Sequence, residues 1–370
     1  MATTRIPATD LSTRLAERTL ELVDIASQSG TEGDIAAHVL GVLRDGGVDV
    51  RDAGDTCVLA GATHRAERPF VLLAGHLDTV PAQDNFPGRL ADGHVEGLGA
   101  SDMKGGVALM LELALAARAD RDEARTRGPR AIDVGFVLFG REELPSAQAA
   151  LAPLLDREPG LRDATLAIVL EPTANVVQAG CLGNIDATWT FHGRAGHSAR
   201  PWLADNAIER AAAGVRELHA IGPERRIIDG LEYAQVASVT TLHAGLARNV
   251  IPGTSTANVN FRYSPELSPE QAEQTLCERC APHGELELIS NTPGALPPHE
   301  NPLMARLVAA TEAPAEAKQA WTPVAEFAAA GIEAVNLGPG DPAFAHRADE
   351  RIATDALVRG YELLEAFLCG

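Results

Sequence analysis

Short apolar runs that alternate with longer helix-patterned segments, several of them ending on polar side chains, constrain this chain most strongly. Pro69–Ala74, Ile132–Phe139 and Thr165–Leu170 read as strands, and Leu11–Ile25, Thr31–Asp45 and Met103–Ala119 as helices. Strands interleaved with helices predict a layered α/β domain around a mostly parallel sheet, with ligands just beyond the carboxyl ends of the strands. The rhythm then changes. A strand at Asn184–His192, a helix at Asn206–His219, strands at Ala234–Thr241 and Thr256–Tyr263, a helix at Pro269–Cys280 and a strand at Glu285–Ile289 spell β-α-β-β-α-β, the ferredoxin-like unit. Residues 181–292 are therefore expected to be an inserted α+β domain. Residues 1–180 and 293–370 would form one discontinuous domain, completed by helices at Met304–Ala313, Ala320–Ala330 and Asp355–Phe367 and a strand at Ala334–Leu337.

At 370 residues the chain is long enough for two domains. Its 51 acidic residues against 31 basic ones give a formal charge of -20, a field that repels nucleic acid and anionic lipid, so neither is expected as a partner. The longest apolar stretch, Val107–Ala117, contains Glu112 and is shorter than the roughly 20 residues of a membrane span. No basic-then-apolar signal segment opens the sequence, so the mature chain is expected to start near Met1. Five cysteines, Cys57, Cys181, Cys277, Cys280 and Cys369, form a sparse, odd set that suits reduced thiols in the cytoplasm. Cys277 and Cys280 form a C-x-x-C inside a predicted helix, but no second pair completes a zinc framework, and they read as ordinary helix residues.

Candidate chemistry follows the strands. Gly75-His76-Leu77-Asp78-Thr79-Val80-Pro81 continues an apolar strand, and alternate residues share a side, so Asp78 can orient the His76 imidazole as a ligand; a merely polar strand end is the alternative. Gly97-Leu98-Gly99-Ala100-Ser101-Asp102-Met103-Lys104-Gly105-Gly106 carries Asp102 where a dinucleotide loop requires its third glycine, so no phosphate site is implied. Its glycines can aim Asp102 inward, or Asp102 can cap a helix. Gly140-Arg141-Glu142-Glu143 places two adjacent carboxylates beside buried sequence, one able to bind metal while the other stays free as a base; a solvated loop is the alternative. Glu171 follows a strand, and His346 lies in a Gly/Pro-rich loop. Taken together, His76, Asp102, Glu143, Glu171 and His346 would hold two cations if Asp102 bridges: His76, Glu171 and Asp102 on one, Glu143, His346 and Asp102 on the other. Such nitrogen and oxygen donors suit zinc.

These segments, with Glu171-Pro172-Thr173 and Gly196-His197-Ser198-Ala199-Arg200-Pro201, resemble the co-catalytic zinc amidohydrolases: aminoacylases, glutamate carboxypeptidases, acetylornithine deacetylases and succinyl-diaminopimelate desuccinylases. The resemblance runs from about Leu20 to Phe367. It implies a zinc-exopeptidase-like catalytic domain with an inserted dimerisation or lid domain. It also implies two zinc ions, with cobalt or manganese able to substitute, on the five residues above. By the same resemblance Glu142 is the general base, and Asp78 the catalytic partner that orients His76. His197 would polarise the scissile carbonyl in a neighbouring subunit of a homodimer joined through the insert, while Asn249 and Arg262 would hold substrate carboxylate.

Within the family the similarity is closest to the desuccinylase branch, through Ala179–Asn184, Ala195–Ala207 and Gly340–His346. That implies hydrolysis of N-succinyl-LL-2,6-diaminopimelate to succinate and LL-2,6-diaminopimelate in lysine biosynthesis. Another N-acyl amino acid deacylase, such as an acetylornithine deacetylase, and a metal-retaining binding protein are the alternatives. One departure stands out. Where many desuccinylases carry a Ser/Thr-rich loop ending in Asp, this chain has Ala320-Trp321-Thr322-Pro323-Val324-Ala325-Glu326-Phe327, without the acidic contact suited to a substrate ammonium.

Overall fold

The computed structural model describes residues 8–124 and 132–369. The expected start near Met1 lies outside them. Among the described residues no helix is long and apolar enough to cross a membrane. Two compact units emerge, one made of the chain up to Ala179, Pro298–Glu316 and Thr322 onward, the other of Gly180–Pro297 with Ala317–Trp321.

In the first unit an eight-stranded sheet runs Val50–Gly54, Cys57–Gly61, Asp133–Phe139, Phe70–His76, Leu166–Val169, Ala334–Asn336, Gln178–Ala179, Glu316–Ala317. The four middle strands are mutually parallel, and antiparallel pairs flank them. Phe70–His76 is buried at every position, as a strand covered on both faces must be, which is why it reads as continuous apolar sequence rather than alternation. His76 is its last residue. Glu142 and Glu143 follow Asp133–Phe139, and Glu171 follows Leu166–Val169, so parallel order alone delivers three loops to one end of the sheet.

Three local expectations need correction. The helix predicted from Met103 begins at Gly105, because Asp102 (φ -123°, ψ 93°) and Met103 (φ -131°, ψ 36°) are not helical and close a tight turn, Ala100–Lys104, across a cis Asp102–Met103 peptide. The helix predicted at Ala320–Ala330 shrinks to Val324–Ala329, since Pro323 disfavours helical geometry in the residue before it. The hairpin Val50–Gly54/Cys57–Gly61 is absent from the sequence reading: its two-residue turn is Asp55-Thr56 at φ 58° and 60°, and a β-branched residue gives no turn signal there.

The second unit has the ferredoxin-like order, fourth-first-third-second, with one added edge strand. Its antiparallel strands run Glu285–Thr292, Gly183–His192, Thr254–Tyr263, Leu231–Ala244, then Glu224–Ile228. Burial alternates along Gly183–His192, and Trp189, Phe191, Phe261 and Tyr263 on the inner face share a core with Leu276 and Cys280. Asn206 caps the helix Ala207–Ile221, and a Ser268/Gln271 capping box opens Pro269–Cys280. None of the five cysteines is joined in a disulfide.

Candidate metal centre

His76 is 1% exposed, and its ring is held from behind. Nδ1 lies 3.0 Å from the main-chain carbonyl of Asp78 and 3.6 Å from its carboxylate. An Nδ1–H tautomer satisfies both acceptors and leaves the Nε2 lone pair facing Asp102 at 3.1 Å and Glu171 at 3.7 Å. The sequence reading credits the orientation of His76 to the Asp78 side chain, but the nearer contact is the backbone carbonyl. The Asp78 carboxylate is engaged mainly elsewhere: it accepts from the amides of Glu142 at 3.0 Å and Glu143 at 3.1 Å and from Ser29 Oγ at 2.8 Å. One residue thus fixes the imidazole through its carbonyl and the loop that carries the acidic pair through its carboxylate.

Asp102 does not act as a helix cap. Its Oδ1 meets His76, while Oδ2 lies 3.4 Å from Nε2 of His346, which is also 2.9 Å from Glu143. The two oxygens of one carboxylate therefore address imidazoles from two loops, the arrangement expected of a bridge. Among the described residues two trios have ligand atoms mutually within 4.8 Å, His76/Glu142/Glu171 and His76/Asp102/Glu143. His346 itself adopts φ 60°, and Arg141, just before the acidic pair, φ 58°. Left-handed backbone at non-glycine residues costs about 1–3 kcal/mol and concentrates at sites that need a side chain aimed.

The charge balance points to cations. Burial opposes protonation of His76, yet hydrogen bonds to Asp102 and Asp78 outweigh it and raise its pKa well above the usual imidazole value. Burial also pushes Asp102 up, and the hydrogen bonds of His346 and His76 more than reverse this, holding it below the usual carboxylate range. Asp102 and Glu143 lift His346 to about 10. Glu142 is raised by burial and by the neighbouring Glu171 charge. Arg141 is turned away, donating to Asp55 at 2.7 Å and to the Gln148 carbonyl. A crowd of carboxylates around two imidazoles, with that guanidinium withdrawn, is a donor set that fits hard or borderline divalent cations.

His197, Asn249 and Arg262 belong to the second unit. Pairing of Gly196–His197 with Val250–Ile251 makes His197 and Asn249 neighbours despite their sequence distance; Ser198 donates to the Asn249 carbonyl at 3.0 Å, and His197 Nδ1 accepts from Ala199 at 3.1 Å. Arg262 lies on Thr254–Tyr263, its Nε donating to Asn260 at 2.9 Å.

The family model for peptidases M20/M25/M40 matches residues 72–369. The chain belongs to this family. A putative succinyl-diaminopimelate desuccinylase from Mycobacterium tuberculosis is 36% identical over 357 residues, covering 96% of this chain and 98% of the relative. A succinyl-diaminopimelate desuccinylase from Corynebacterium glutamicum is 35% identical over 358 residues, 95% of each. An M20 family metallo-carboxypeptidase from Sulfolobus solfataricus has the same fold, with a TM-score of 0.77 at 16% identity over 96% of this chain and 98% of that one.

Sequence reasoning overlooks the anions that support this M20 site. Besides Ser29, buried Glu32 accepts from the amides of Gly30 at 2.7 Å and Arg141 at 3.1 Å, pinning the strand-end loop from the other side. Glu350 grips the Asp102 turn in the same way. Neither shows a motif of its own, because what each binds is backbone.

Proposed function

We propose that this protein hydrolyses the amide of an N-succinyl amino acid, with N-succinyl-LL-2,6-diaminopimelate as the substrate and succinate and LL-2,6-diaminopimelate as products. Near-full-length identity to proteins named for that reaction supports the substrate class. The observation that carries the chemistry is Asp102, whose two oxygens meet imidazoles from separate loops while Glu142 stands in the same cluster.

His76, Asp102 and Glu171 would hold one divalent cation, and Asp102, Glu143 and His346 a second, zinc suiting both. When bound, the pair supplies Lewis acidity toward the acyl oxygen and toward water. The rest falls to the chain. Glu142 removes a proton from the attacking water, the water oxygen bonds to the acyl carbon, the carbon–nitrogen bond breaks, and Glu142 returns that proton to the departing amine. Asp78 keeps His76 in the ligating tautomer and holds the Glu142 and Glu143 amides. His197 polarises the carbonyl, supplied across a homodimer, and Asn249 and Arg262 bind substrate carboxylate.

Homodimerisation through the inserted unit is part of the proposal. Val236–Ala244 pairs with Thr254–Tyr263 on one side and, among the described residues, with no strand on the other, and Leu242 and Leu246 are exposed there. Five cysteines outside any disulfide fit a reducing cytoplasm.

The test compares N-succinyl- and N-acetyl-amino acids with the zinc-loaded protein, before and after chelation. Succinyl turnover that chelation stops and zinc restores is expected. Preference for the acetyl substrates assigns a different deacylase, and absence of turnover with bound zinc assigns a binding protein.

A further inference from the structure

The Gly99–Asp102 turn presents three backbone amides toward one point, and Glu350 occupies it. Its Oε2 accepts from Gly99 at 2.9 Å, and its Oε1 from Ser101 and Asp102, both at 3.0 Å. Gly99 is left-handed (φ 78°), and alternation of left- and right-handed backbone is what turns successive amides into an anion-binding concavity. Here the chain fills that concavity with its own carboxylate, 2% exposed, near the equally buried ammonium of Lys104, which donates to the Ile25 carbonyl at 2.8 Å.

The position of Glu350 in the chain gives this contact its consequence. Four residues earlier stands His346, and the segment 341–350 is laced to the same neighbourhood: Gly97 donates to the Glu350 carbonyl at 3.0 Å, Ser101 Oγ to the Asp341 carbonyl at 2.9 Å, Gln83 to the His346 carbonyl at 2.9 Å and Asn85 to the Arg347 carbonyl at 3.1 Å. Asp102 has to present one oxygen to each of two imidazoles, so displacing its main chain alters both approaches together.

We infer that Glu350 is a positioning residue for the cation pair: it clamps the backbone of the bridging Asp102 to the loop bearing His346 and so sets whether both cations bind at once. This rests on the two-cation reading above. Replacing the carboxylate with an amide substitutes an NH2 group for one acceptor oxygen. A donor then faces at least one backbone N–H, and the turn relaxes without any change in the ligands themselves.

The experiment titrates metal-free parent and Glu350→Gln with Zn²⁺ against a chromophoric chelator, records absorption of the Co²⁺-loaded forms, and measures melting of the metal-free forms. The parent should take up two ions. Glu350→Gln should bind the second about 10–100-fold more weakly, the usual consequence of losing a group that orients a ligand, with an altered Co²⁺ spectrum. Its metal-free form should stay folded at the titration temperature, melting lower by no more than the loss of a buried hydrogen bond explains, with parental affinity for the first ion, a selectivity that a merely structural role would not give. Glu350→Asp, which keeps the charge and withdraws it by one methylene, should show the same selective loss and decides the matter if the glutamine variant does not fold. Parental affinity for both ions in the folded variant overturns the inference, as does a loss of affinity that only follows a fall in metal-free stability. Should the parent itself bind no Zn²⁺, the two-cation reading fails instead.

Discussion

Glu142 and Glu143 are adjacent carboxylates with different surroundings, and the proposed function gives them different work. Glu143 meets His346 at 2.9 Å, whereas the Glu142 side chain, the proposed proton carrier, is raised in pKa by burial and by the Glu171 charge. Glu142→Ala should lower turnover by about 10²–10⁴-fold while leaving bound zinc unchanged, checked by steady-state assay beside elemental analysis. A further carboxylate, Glu326, lies in the segment where the sequence departs from the desuccinylase pattern, on the helix Val324–Ala329. Burial lifts Glu326 to about 7, against a hydrogen bond from Ala152. An acid whose pKa is higher folded than unfolded favours the native state fully below its unfolded value of 4.5, and that contribution is lost as pH rises toward 7. Glu326→Gln should therefore raise the melting temperature at pH 8 more than at pH 5, as thermal scans at the two pH values would show. At this scale the residues that cluster around Asp102 were legible because imidazoles and carboxylates after apolar strands are conspicuous. Glu32 and Glu350 were not, since a side chain that binds main-chain amides leaves no pattern in neighbouring residue types.

Helix Gly105–Ala124 begins where a side chain would not fit. A Cβ on Gly106 would lie 2.6 Å from the Leu170 carbonyl and 3.0 Å from its side chain, and Leu170 precedes Glu171. Gly106→Ala should therefore push the strand end that carries Glu171, costing about 1–3 kcal/mol of stability and weakening zinc binding; unfolding and zinc titration read the two effects separately. Strand existence was readable from apolar runs, and the capped helices Ala207–Ile221 and Pro269–Cys280 from periodicity. Turns were read less well. Asp229-Gly230, left-handed at φ 50° and 81°, is a turn dipeptide that announces the added edge strand Glu224–Ile228, yet the strand was passed over because Glu224, Arg225 and Arg226 break its apolar character. The Ala100–Lys104 turn had no such announcement, for nothing in Ser-Asp-Met-Lys opposes helix strongly enough to show that the first helical turn is refused.

For the whole molecule, the proposed dimer makes the insert part of catalysis rather than an ornament. Leu242→Glu, at 47% exposure on the unpaired stretch of Leu231–Ala244, should convert a dimer into monomers in sedimentation velocity and lower turnover with them, because His197 would no longer reach a neighbour's substrate. By itself the sequence determined the layered α/β architecture, the ferredoxin-like strand order and which imidazoles and carboxylates are candidate ligands. These are statements about local periodicity and residue chemistry, which each segment carries independently of the others. The tertiary structure alone decided that Asp102 divides its two oxygens between His76 and His346, that the carbonyl of Asp78 orients His76, and that Glu350 accepts from the Asp102 amide. Such contacts join residues tens to hundreds of positions apart, and their strength depends on ångström-scale separation and burial, neither of which a linear order of amino acids expresses until the chain has closed on itself.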